Sequence, residues 1–332
     1  MAYITPPSRA VGYIVTAANW NQDIRSNMLA MIPDLFSAHS QIGYSTAADA
    51  MTVGALPLMM GGRLTLTTGT PITTADVTAA GTLYWTPHGP AGGFVTLYDG
   101  SKWHPMLLSE LSIAGSAGYT TGNKMYDVFI DYNGGTPALA TLAWTDDTTR
   151  ATALTYQDGR YCLTGSLDWN YVGSIRTLTA EETEDSYANR LVWNMYNRTP
   201  RELRLTDTGS AFTLAAGTAQ WRASTDWQVG VVQGIAADVM VSLSCFASTA
   251  TSGGNAKNGI DIDSATDITT GGQCVSRTNA VTASNEESLS RAQTFPLTAG
   301  YHYLAVVNDA FTYTATYTMP LDDILLNGYV LG

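Results

Sequence analysis

The order of hydrophobic and polar positions divides the chain into one short helical pattern and a long series of β patterns. In the helical part, five apolar side chains recur at steps of three and four residues, a spacing that places them on one face of a helix. These residues are Trp20, Ile24, Met28, Met31 and Leu35. Thr16 can accept a backbone N–H bond at the start of this helix, and Pro33 ends or kinks it after about four turns.

A helix of about four turns is marginal in water by itself, so its apolar face needs a partner. One interpretation is that the helix packs on the β part of its own chain. The other is that copies of the helix associate with one another, or that the helix docks on a larger assembly. We assign residues 1–40 to an N-terminal helical anchor and leave both kinds of partner open at this point.

From residue 63 onward, apolar and polar residues alternate in short runs that are separated by turn-forming Gly, Asn and Asp residues, as in antiparallel strands. In the first half the clearest runs are 63–67, 82–86, 94–98, 124–132, 139–144, 161–164, 171–176 and 190–197. In the second half they are 198–207, 228–232, 239–247, 301–307 and 311–319. Residues 321–332 are mostly apolar up to the last residue, which predicts either a buried last strand or a clasp between chains.

These patterns predict a mainly β fold, in which a short N-terminal helix is followed by two antiparallel β-sandwich domains of jelly-roll type. Residues 41–62 are interrupted by glycines and by Pro57 and are assigned to a connector. The first sandwich covers residues 63–205 and the second covers 206–332, with the arginine-rich run 198–207 as the junction strand between them. Strand patterns do not alternate with helical patterns, which disfavours a parallel α/β fold.

The alternation also assigns faces to two of the strands. In the run 124–132, the even positions from Tyr126 to Tyr132 are apolar, whereas Asp127 and Asp131 flank Phe129 on the other side. We therefore expect one face of this strand in the core and the other partly in water. In the run 239–247, Cys245 lies on the apolar face, which predicts a buried structural thiol.

Charged residues are rare, and this changes the interpretation of the surface. Only 13% of the 332 residues are charged, about half the usual share, although the hydrophobic fraction of 45% is ordinary. Charged groups are depleted from the cores of subunit interfaces. A composition of this kind therefore favours an obligate oligomer whose surfaces are covered by other copies.

The net charge and the apolar runs exclude two other classes of partner. The formal charge is -12, and the sixteen basic residues are scattered, whereas nucleic-acid binding needs clustered Lys and Arg. The longest apolar run, 51–60, contains Pro57 and is about half as long as a membrane-spanning helix. The first residues lack the layout of a secretory signal, which predicts synthesis in a cytoplasm.

Residues that bind metals or cofactors do not occur at diagnostic spacings. Cys162, Cys245 and Cys274 form no CxxC motif, and the four histidines are not paired. The segment 261–267 has three aspartates but lacks the Gly and the terminal Glu of a calcium loop, so a solvated loop is favoured. We predict no metal site and no cofactor, and a hydrogen-bonded structural role for His302 inside its strand.

A glycan-cleaving enzyme would need two carboxylates in a groove lined by aromatic side chains. The candidates are Asp146, Asp147, Glu181, Glu182, Glu184, Asp185, Asp261, Asp263 and Asp267. None of them has a diagnostic spacing, and adjacent acidic residues in turns are usually solvated. We therefore predict no catalytic residue and a protein that is not an enzyme.

Residues 249–274 are rich in Gly, Ser and Asp and are predicted to project as one or two loops, where recognition residues of β scaffolds are often located. The candidate receptor contacts at this loop tip are Asn255, Lys257 and Asn258. Trp85 and His88 could hold a sugar ring if they were exposed, but burial of Trp85 in the core is the favoured interpretation.

Several segments resemble virion structural proteins of tailed bacteriophages. The similar segments are 15–29, 63–71, 82–87, 97–103, 126–129, 144–154, 157–159, 173–177 and 190–198. Within the range 15–205, the middle of the chain is the most similar, to a module described loosely as a tail-fibre or minor structural protein.

The resemblance implies a symmetric fibre, spike or decoration subunit, most often a homotrimer, that is attached to other virion proteins through its N-terminal region. The C-terminal β domain would face the host and bind a glycan or a protein on its surface. The protein would then be located in the virion after assembly in the cytoplasm of a bacterial host. The resemblance supplies no catalytic residue.

Two alternatives remain at this stage. One is a phage-borne depolymerase that cleaves a host polysaccharide. The other is a purely architectural capsid or collar protein without affinity for a receptor.

Overall fold

The structure is a computed structural model that describes residues 41–47, 50–55, 58–206, 212–215, 218–220, 227–249, 255–264, 275–279, 287–310, 314–318 and 324–332. The predicted anchor helix and its apolar face lie outside these residues and stay a prediction. That face comprises Trp20, Ile24, Met28, Met31 and Leu35. Asp267 and Cys274 also lie outside the described residues.

The first half of the described chain consists of short strands with one helical turn. The strands are β1 (Gln41–Ala47), β2 (Ala50–Ala55), β3 (Gly62–Thr65), β4 (Val77–Ala80), β5 (Thr82–Pro87), β6 (Gly93–Tyr98), β7 (Trp103–Leu108), β8 (Leu111–Ala114), β9 (Met125–Asp131), β10 (Ala138–Ala143), β11 (Leu154–Gln157), β12 (Arg160–Leu163), β13 (Ser166–Thr179), β14 (Glu182–Asp185), β15 (Asn189–Arg190) and β16 (Val192–Asn194). The helix α1 is Gly115–Gly118, and Asn133–Gly135 form a 3₁₀ turn.

The central strands of this half separate two hydrophobic clusters. Strands β10, β9 and β13 are neighbours in one sheet, and the smaller sheets β3-β5-β8 and β6-β7 lie on one side of it. That side contains Trp85, Leu97, Val128 and Ile175, among other fully or largely buried residues. The opposite side of β9 and β13 contains Phe129, which packs with Trp144, Tyr171 and Trp193 in a second cluster. Both faces of β9 are therefore buried.

The second half contains longer strands in two packed sheets. They are β17 (Pro200–Thr206), β18 (Phe212–Leu214), β19 (Thr218–Gln220), β20 (Gln228–Gln233), β21 (Ala237–Thr249), β22 (Asn255–Ile262), β23 (Val275–Asn279), β24 (Glu287–Leu297), β25 (Gly300–Ala310), β26 (Ala315–Thr318) and β27 (Ile324–Leu331). One sheet has the order β17-β27-β21-β26-β18, with β24 paired to β21. The other contains β20, β25, β22 and β23.

A single core fills the space between these two sheets. The alternate residues Val239, Val241, Leu243 and Cys245 of β21 face Val229 and Val231 of β20, Ile260 of β22 and Leu304 and Val306 of β25. This arrangement is a β-sandwich, and the period of two along β21 places its other side chains outside.

The structure confirms the predicted mainly β fold and the sandwich architecture. The predicted junction strand is β17, which pairs along its length with β27, the predicted last strand. The assigned connector contains a hairpin, because β1 and β2 pair from Gln41 opposite Ala55 onward. The two halves also share a sheet: β15 and β20 pair in parallel, whereas the other strand pairs of the described residues are antiparallel.

The expectation about the second side of β9 holds only at its end. Asp131 is partly exposed, whereas Asp127, Phe129 and Met125 on the same side are buried. The physical reason is that β13 and the loop before β11 supply hydrogen-bonding partners for Asp127, so its carboxylate does not need water.

Candidate functional site

Three large apolar side chains are exposed next to one another on the outer face of the C-terminal sheet. Met240 of β21 lies opposite Tyr329 of β27, and Leu331 follows two residues further along the same strand. Their exposed fractions are 52%, 52% and 45%. We call these three residues the apolar sheet face. Grouped apolar side chains on a protein surface often mark sites of interaction.

A second exposed apolar pair lies on the hairpin of the first half. Phe94 of β6 is directly opposite Leu107 of β7, and both side chains are more than half exposed. The inward-facing neighbours Val95 and Leu97 are buried, which fixes the register of the hairpin. The described chain therefore has two separate apolar surfaces, one on each half.

A polar cleft of about 760 Å³ lies where the two halves share their sheet. It is lined by Asn123, Asp147, Arg176, Leu178, Ala188, Asn189, Leu205, Gln228, Tyr301 and Tyr303. Amide, carboxylate and guanidinium groups together with aromatic side chains are the groups that orient small polar ligands in protein pockets. We call this site the junction cleft.

Arg176 is held in place within the junction cleft. It donates two hydrogen bonds to Asp147, Nε to Oδ1 at 3.1 Å and Nη2 to Oδ2 at 3.2 Å. Its guanidinium lies 3.9 Å from the ring centroid of Tyr301. The Tyr301 amide in turn donates to the Asp147 carbonyl oxygen at 2.8 Å. This fork-like pairing leaves Asp147 partly exposed toward the cleft.

Below the cleft, the interior of the first half holds a connected polar network. Asp127 accepts bonds from Arg150 Nε at 2.7 Å and from Ser174 Oγ at 2.7 Å. Ser174 is 2.7 Å from the hydroxyl of Tyr171, and Arg150 Nη2 donates to the Gly234 carbonyl oxygen at 2.5 Å. Burial raises the pKa of the Asp127 carboxyl, and the Arg150 guanidinium opposes this shift. The network is enclosed, so its role is structural.

The predicted receptor contacts are not at a loop tip. Asn255, Lys257 and Asn258 belong to β22, which pairs with β25 on one side and β23 on the other. Lys257 is 5% exposed and Asn258 is fully buried, and its amide nitrogen donates to Cys245 Sγ. The expectation of a projecting loop at these positions is wrong, because two neighbouring strands cover β22. Neither buried side chain is placed to meet a receptor from solvent.

The carboxylates that we considered for catalysis mostly have internal partners. Asp146 accepts the backbone N–H groups of Thr148 and Thr149 and so closes a turn. Asp185 accepts from Arg190 at 2.9 Å and from Arg201 at 2.6 Å. Asp261 is buried in β22, which corrects the expectation of a solvated loop at this position.

The remaining candidate side chains are placed as follows. His302 is buried and hydrogen-bonded to Asp263 and Thr298, as the sequence predicts. Trp85 is fully buried in the core, whereas His88, three residues further along the chain, is exposed. Burial raises the pKa of the Cys162 and Cys245 thiols to about 12, which agrees with inert structural thiols.

Among the described residues, His, Cys, Asp and Glu side chains do not gather in groups of three that could bind a metal ion. In the same residues, none of the helices has both the length and the apolar character of a membrane span.

Sequence patterns missed the apolar sheet face and the junction cleft. The alternation in the run 239–247 places Met240 on the outer side of its strand, but it could not show that Tyr329 of the last strand lies opposite. The junction cleft combines residues from β13, β20 and β25, which lie far apart in the chain. A local pattern carries no signal for such a site.

No protein-family model matches this chain, and no curated protein shows significant sequence similarity to it. Among solved structures, the chain is similar to the Eiger TNF of S. frugiperda, with 12% identity and a TM-score of 0.27 over 41% of this chain and 92% of that one. It is also similar to a structure of the infectious bursal disease virus Gx strain, with 11% identity, a TM-score of 0.25 and coverage of 78% and 74%.

A third similar structure is the insecticidal delta-endotoxin Cry8Ea1 from Bacillus thuringiensis, with 7% identity and a TM-score of 0.24. The match covers 82% of this chain and 51% of the toxin. Likenesses at this level carry no argument about function. The class that the fold defines is a mainly β protein built from packed, predominantly antiparallel sheets.

Proposed function

We propose that this protein is a bacteriophage virion structural protein: a homotrimeric fibre, spike or decoration subunit that is attached through its N-terminal region and mediates attachment to the host surface. The observation that carries the proposal is the apolar sheet face, Met240, Tyr329 and Leu331, on a chain with only 13% charged residues. Burial of such a face against another copy removes it from water.

The two separate apolar surfaces support a cyclic assembly of more than two copies. A two-fold dimer needs one surface that binds itself, whereas a ring of three joins two different surfaces of each subunit. The apolar sheet face lies on the C-terminal sheet, and Phe94 and Leu107 lie on the hairpin of the first half. Contact between these two surfaces of neighbouring copies would be heterologous and could close a trimer.

The junction cleft is the place where a host glycan would fit best. Its amide and carboxylate groups can form hydrogen bonds with sugar hydroxyls, and Tyr303 adds an aromatic side chain. A single contact of this kind is weak. Several copies held together gain affinity by multivalency, typically 10²- to 10⁴-fold.

The test compares the wild-type chain with Met240→Lys by native mass spectrometry and by binding to host cells. We expect a trimer for the wild type and a monomer for Met240→Lys, because the variant would bury a charge in the interface. The monomer should bind cells at least 100-fold more weakly, since avidity is lost. Ser290→Lys is the matched control, because Ser290 is exposed on the neighbouring strand β24 outside the apolar sheet face.

A wild-type chain that stays monomeric at high concentration would contradict the proposal. A trimer without affinity for cells would favour the architectural alternative. Release of reducing sugar from host polysaccharide, abolished by substitution of one Asp or Glu, would favour the depolymerase.

A further inference from the structure

The wall of the junction cleft presents a hydrogen-bond donor and an acceptor side by side. The bonds from Arg176 to Asp147 use Nε and Nη2 and leave Nη1 without an acceptor in the described part of the chain. Although Arg176 is largely buried, its Nη1 is not enclosed by protein atoms, so it faces the cleft that Arg176 lines. Asp147 is 39% exposed and can accept further bonds, because a carboxylate has about four lone-pair sites.

The positions of both groups are fixed by their neighbours. The Arg176 guanidinium lies 3.9 Å from the Tyr301 ring centroid, and the Tyr301 amide donates to the Asp147 carbonyl oxygen at 2.8 Å. Gly230 lets the side chains beneath them pack closely, since a Cβ at this position would lie 2.5 Å from Asn189 Oδ1 and 3.1 Å from the Tyr301 hydroxyl oxygen. A site that is already ordered loses little entropy when a ligand binds.

The charges around the cleft disfavour an anionic ligand. Among the described residues that line it, Arg176 is the one cation, and Asp147 balances its charge. A second carboxylate, that of Asp263, lies beside the cleft and accepts the Tyr303 amide at 3.0 Å. Its other oxygen pairs with the buried His302, so even a protonated histidine leaves two cations matched by two carboxylates. A uronate group would have to displace Asp147 from Arg176 and would then face a like charge.

Two neighbouring hydroxyl groups of a sugar match the donor and acceptor on the wall. One hydroxyl oxygen can accept the Nη1–H of Arg176, while the adjacent hydroxyl donates a hydrogen bond to Asp147. The amide groups of Asn189 and Gln228 also line the cleft, and they can bind further hydroxyls because they both donate and accept. The ring of Tyr303 offers an apolar surface to the C–H groups of the sugar.

We propose that the junction cleft selects an uncharged sugar with two adjacent free hydroxyl groups, which Arg176 and Asp147 bind as a pair, and that it rejects uronic acids. Asp147 has two effects in this arrangement: it accepts a hydroxyl group, and it cancels the positive charge that would attract an anion. The inference rests on the proposed attachment function, because it names the class of glycan that this cleft binds.

The test uses matched sugars that differ only in charge. The probes are the methyl glycosides of glucose, galactose and mannose, each compared with the methyl glycoside of the corresponding uronic acid. Saturation-transfer difference NMR on the full-length chain measures their dissociation constants. We expect at least one neutral glycoside to bind at least about tenfold more tightly than its uronic acid, because the anion is repelled by Asp147.

A single substitution should reverse this selectivity. Asp147→Asn keeps the shape of the side chain but leaves the charge of Arg176 unbalanced. Affinity for the neutral glycoside should fall at least about tenfold, because a hydrogen bond to a charged acceptor is lost. Affinity for the uronic acid should rise at the same time. A merely structural role of Asp147 would weaken both sugars together, and that result would overturn the proposal.

Asp131→Asn is the matched control. Asp131 is also partly exposed, but it lies at the far end of β9, opposite Trp169, whereas Arg176 pairs with Met125 at the other end. The substitution should change neither affinity. A reversal of selectivity in this control would show that the net charge of the chain decides which sugar binds, and this would also overturn the proposal.

A second measurement needs no variant and therefore holds even if Asp147→Asn does not fold. Monodeoxy versions of the glycoside that binds remove its hydroxyl groups one at a time. Loss of either of two neighbouring hydroxyls should weaken binding to the wild-type chain at least about tenfold, because the site's polar groups are left unpaired.

Three results for the wild-type chain would overturn the proposal. They are tighter binding of a uronic acid, loss of affinity only on removal of hydroxyls that are not neighbours, and binding of none of the neutral glycosides. Each of them leaves the attachment function in place if the trimer still binds host cells. A trimer that binds a neutral glycoside but not host cells would contradict the attachment function and leave the selectivity of the cleft in place.

Discussion

Arg150 and Arg160 lie in the same half of the molecule and differ in one respect. Both are largely removed from water, and both stack on an aromatic ring, at 4.3 Å from the Trp144 centroid and 4.6 Å from the Tyr196 centroid. Arg150 donates to both carboxylate oxygens of Asp127, at 2.7 and 3.2 Å. Arg160 leaves two guanidinium nitrogens without any acceptor.

The difference separates an arginine whose charge is balanced by a carboxylate of the fold from one that has no such counter-charge among the described residues. Burial and stacking alone do not distinguish the two, because both side chains have them. Hydrogen-bond satisfaction does, since buried polar groups in folded proteins are nearly always paired. The charge of Arg150 is balanced by the Asp127 carboxylate, whereas the described neighbour of the Arg160 guanidinium is the neutral side chain of Tyr196.

The largest effect that this comparison predicts is on stability. Arg150→Met leaves the Asp127 carboxylate buried without its counter-charge, which should lower the free energy of unfolding by about 3–5 kcal/mol. Arg160→Met removes a guanidinium that contacts Tyr196 but forms no ion pair with a carboxylate of the described residues, so the free energy of unfolding should change by no more than about 1 kcal/mol. Urea denaturation followed by tryptophan fluorescence measures both variants against the wild type.

Equal losses of stability in the two variants would contradict the importance of the carboxylate partner. They would mean that stacking on Trp144 and Tyr196 determines the contribution of each arginine, and that the carboxylate partner adds nothing measurable.

The sequence predicted much of the fold around these residues. The run 124–132 matched β9, Met125–Asp131, almost to the residue, because strict alternation ends at the turn formed by Asn133 and the glycines that follow it. The runs 198–207 and 239–247 likewise matched β17 and β21. Whether a segment forms a strand depends on the local alternation of apolar and polar residues, and a single sequence contains this pattern.

The partners of these strands could not be predicted in the same way. The hydrogen bonds that satisfy the buried Asp127 carboxylate come from Arg150 and Ser174, which lie 23 and 47 residues further along the chain. Lys257 and Asn258 looked like loop residues because they are polar, but pairing with β25 and β23 buries them. In sheets, tertiary context overrides the local preference of single residues.

A smaller effect tests the inner part of the Asp127 network. Ser174→Ala removes the hydroxyl that donates to Asp127 and leaves the Arg150 pair in place, so the free energy of unfolding should fall by about 1.5–3 kcal/mol. Ser290→Ala, at an exposed position of β24, should change it by less than about 0.5 kcal/mol. A Ser174→Ala variant as stable as this control would show that Arg150 alone satisfies the carboxylate.

His302 is intermediate between the two arginines in how well its positive charge is balanced. Its imidazole is buried, while its carboxylate partner Asp263 is partly exposed. Nδ1 lies 2.7 Å from Asp263 Oδ2, and Nε2 lies 3.1 Å from the Thr298 carbonyl oxygen. Both partners are acceptors, so both nitrogens bond best when each carries a proton. Burial alone lowers the pKa of His302, but the bonds to Asp263 and Thr298 outweigh it and raise the pKa above its ordinary value.

A raised pKa in the folded state gives the sign of the pH dependence. The ion pair contributes stability below the ordinary histidine pKa of about 6.5 and loses this contribution as the pH rises through the folded-state value. His302→Gln should therefore be less stable than the wild type at pH 5.5, by at most about 1 kcal/mol because Asp263 is screened by solvent, and the difference should shrink above pH 8. His88 is exposed on the surface, but partial desolvation and the Arg63 guanidinium still lower its pKa, so His88→Gln should show a weaker trend of the opposite sign. Thermal melts of both variants between pH 5.5 and 8.5 measure these slopes. A His302→Gln difference that is constant across this range would mean that His302 is neutral in the fold, and that a half-exposed carboxylate does not hold a buried base in its charged form.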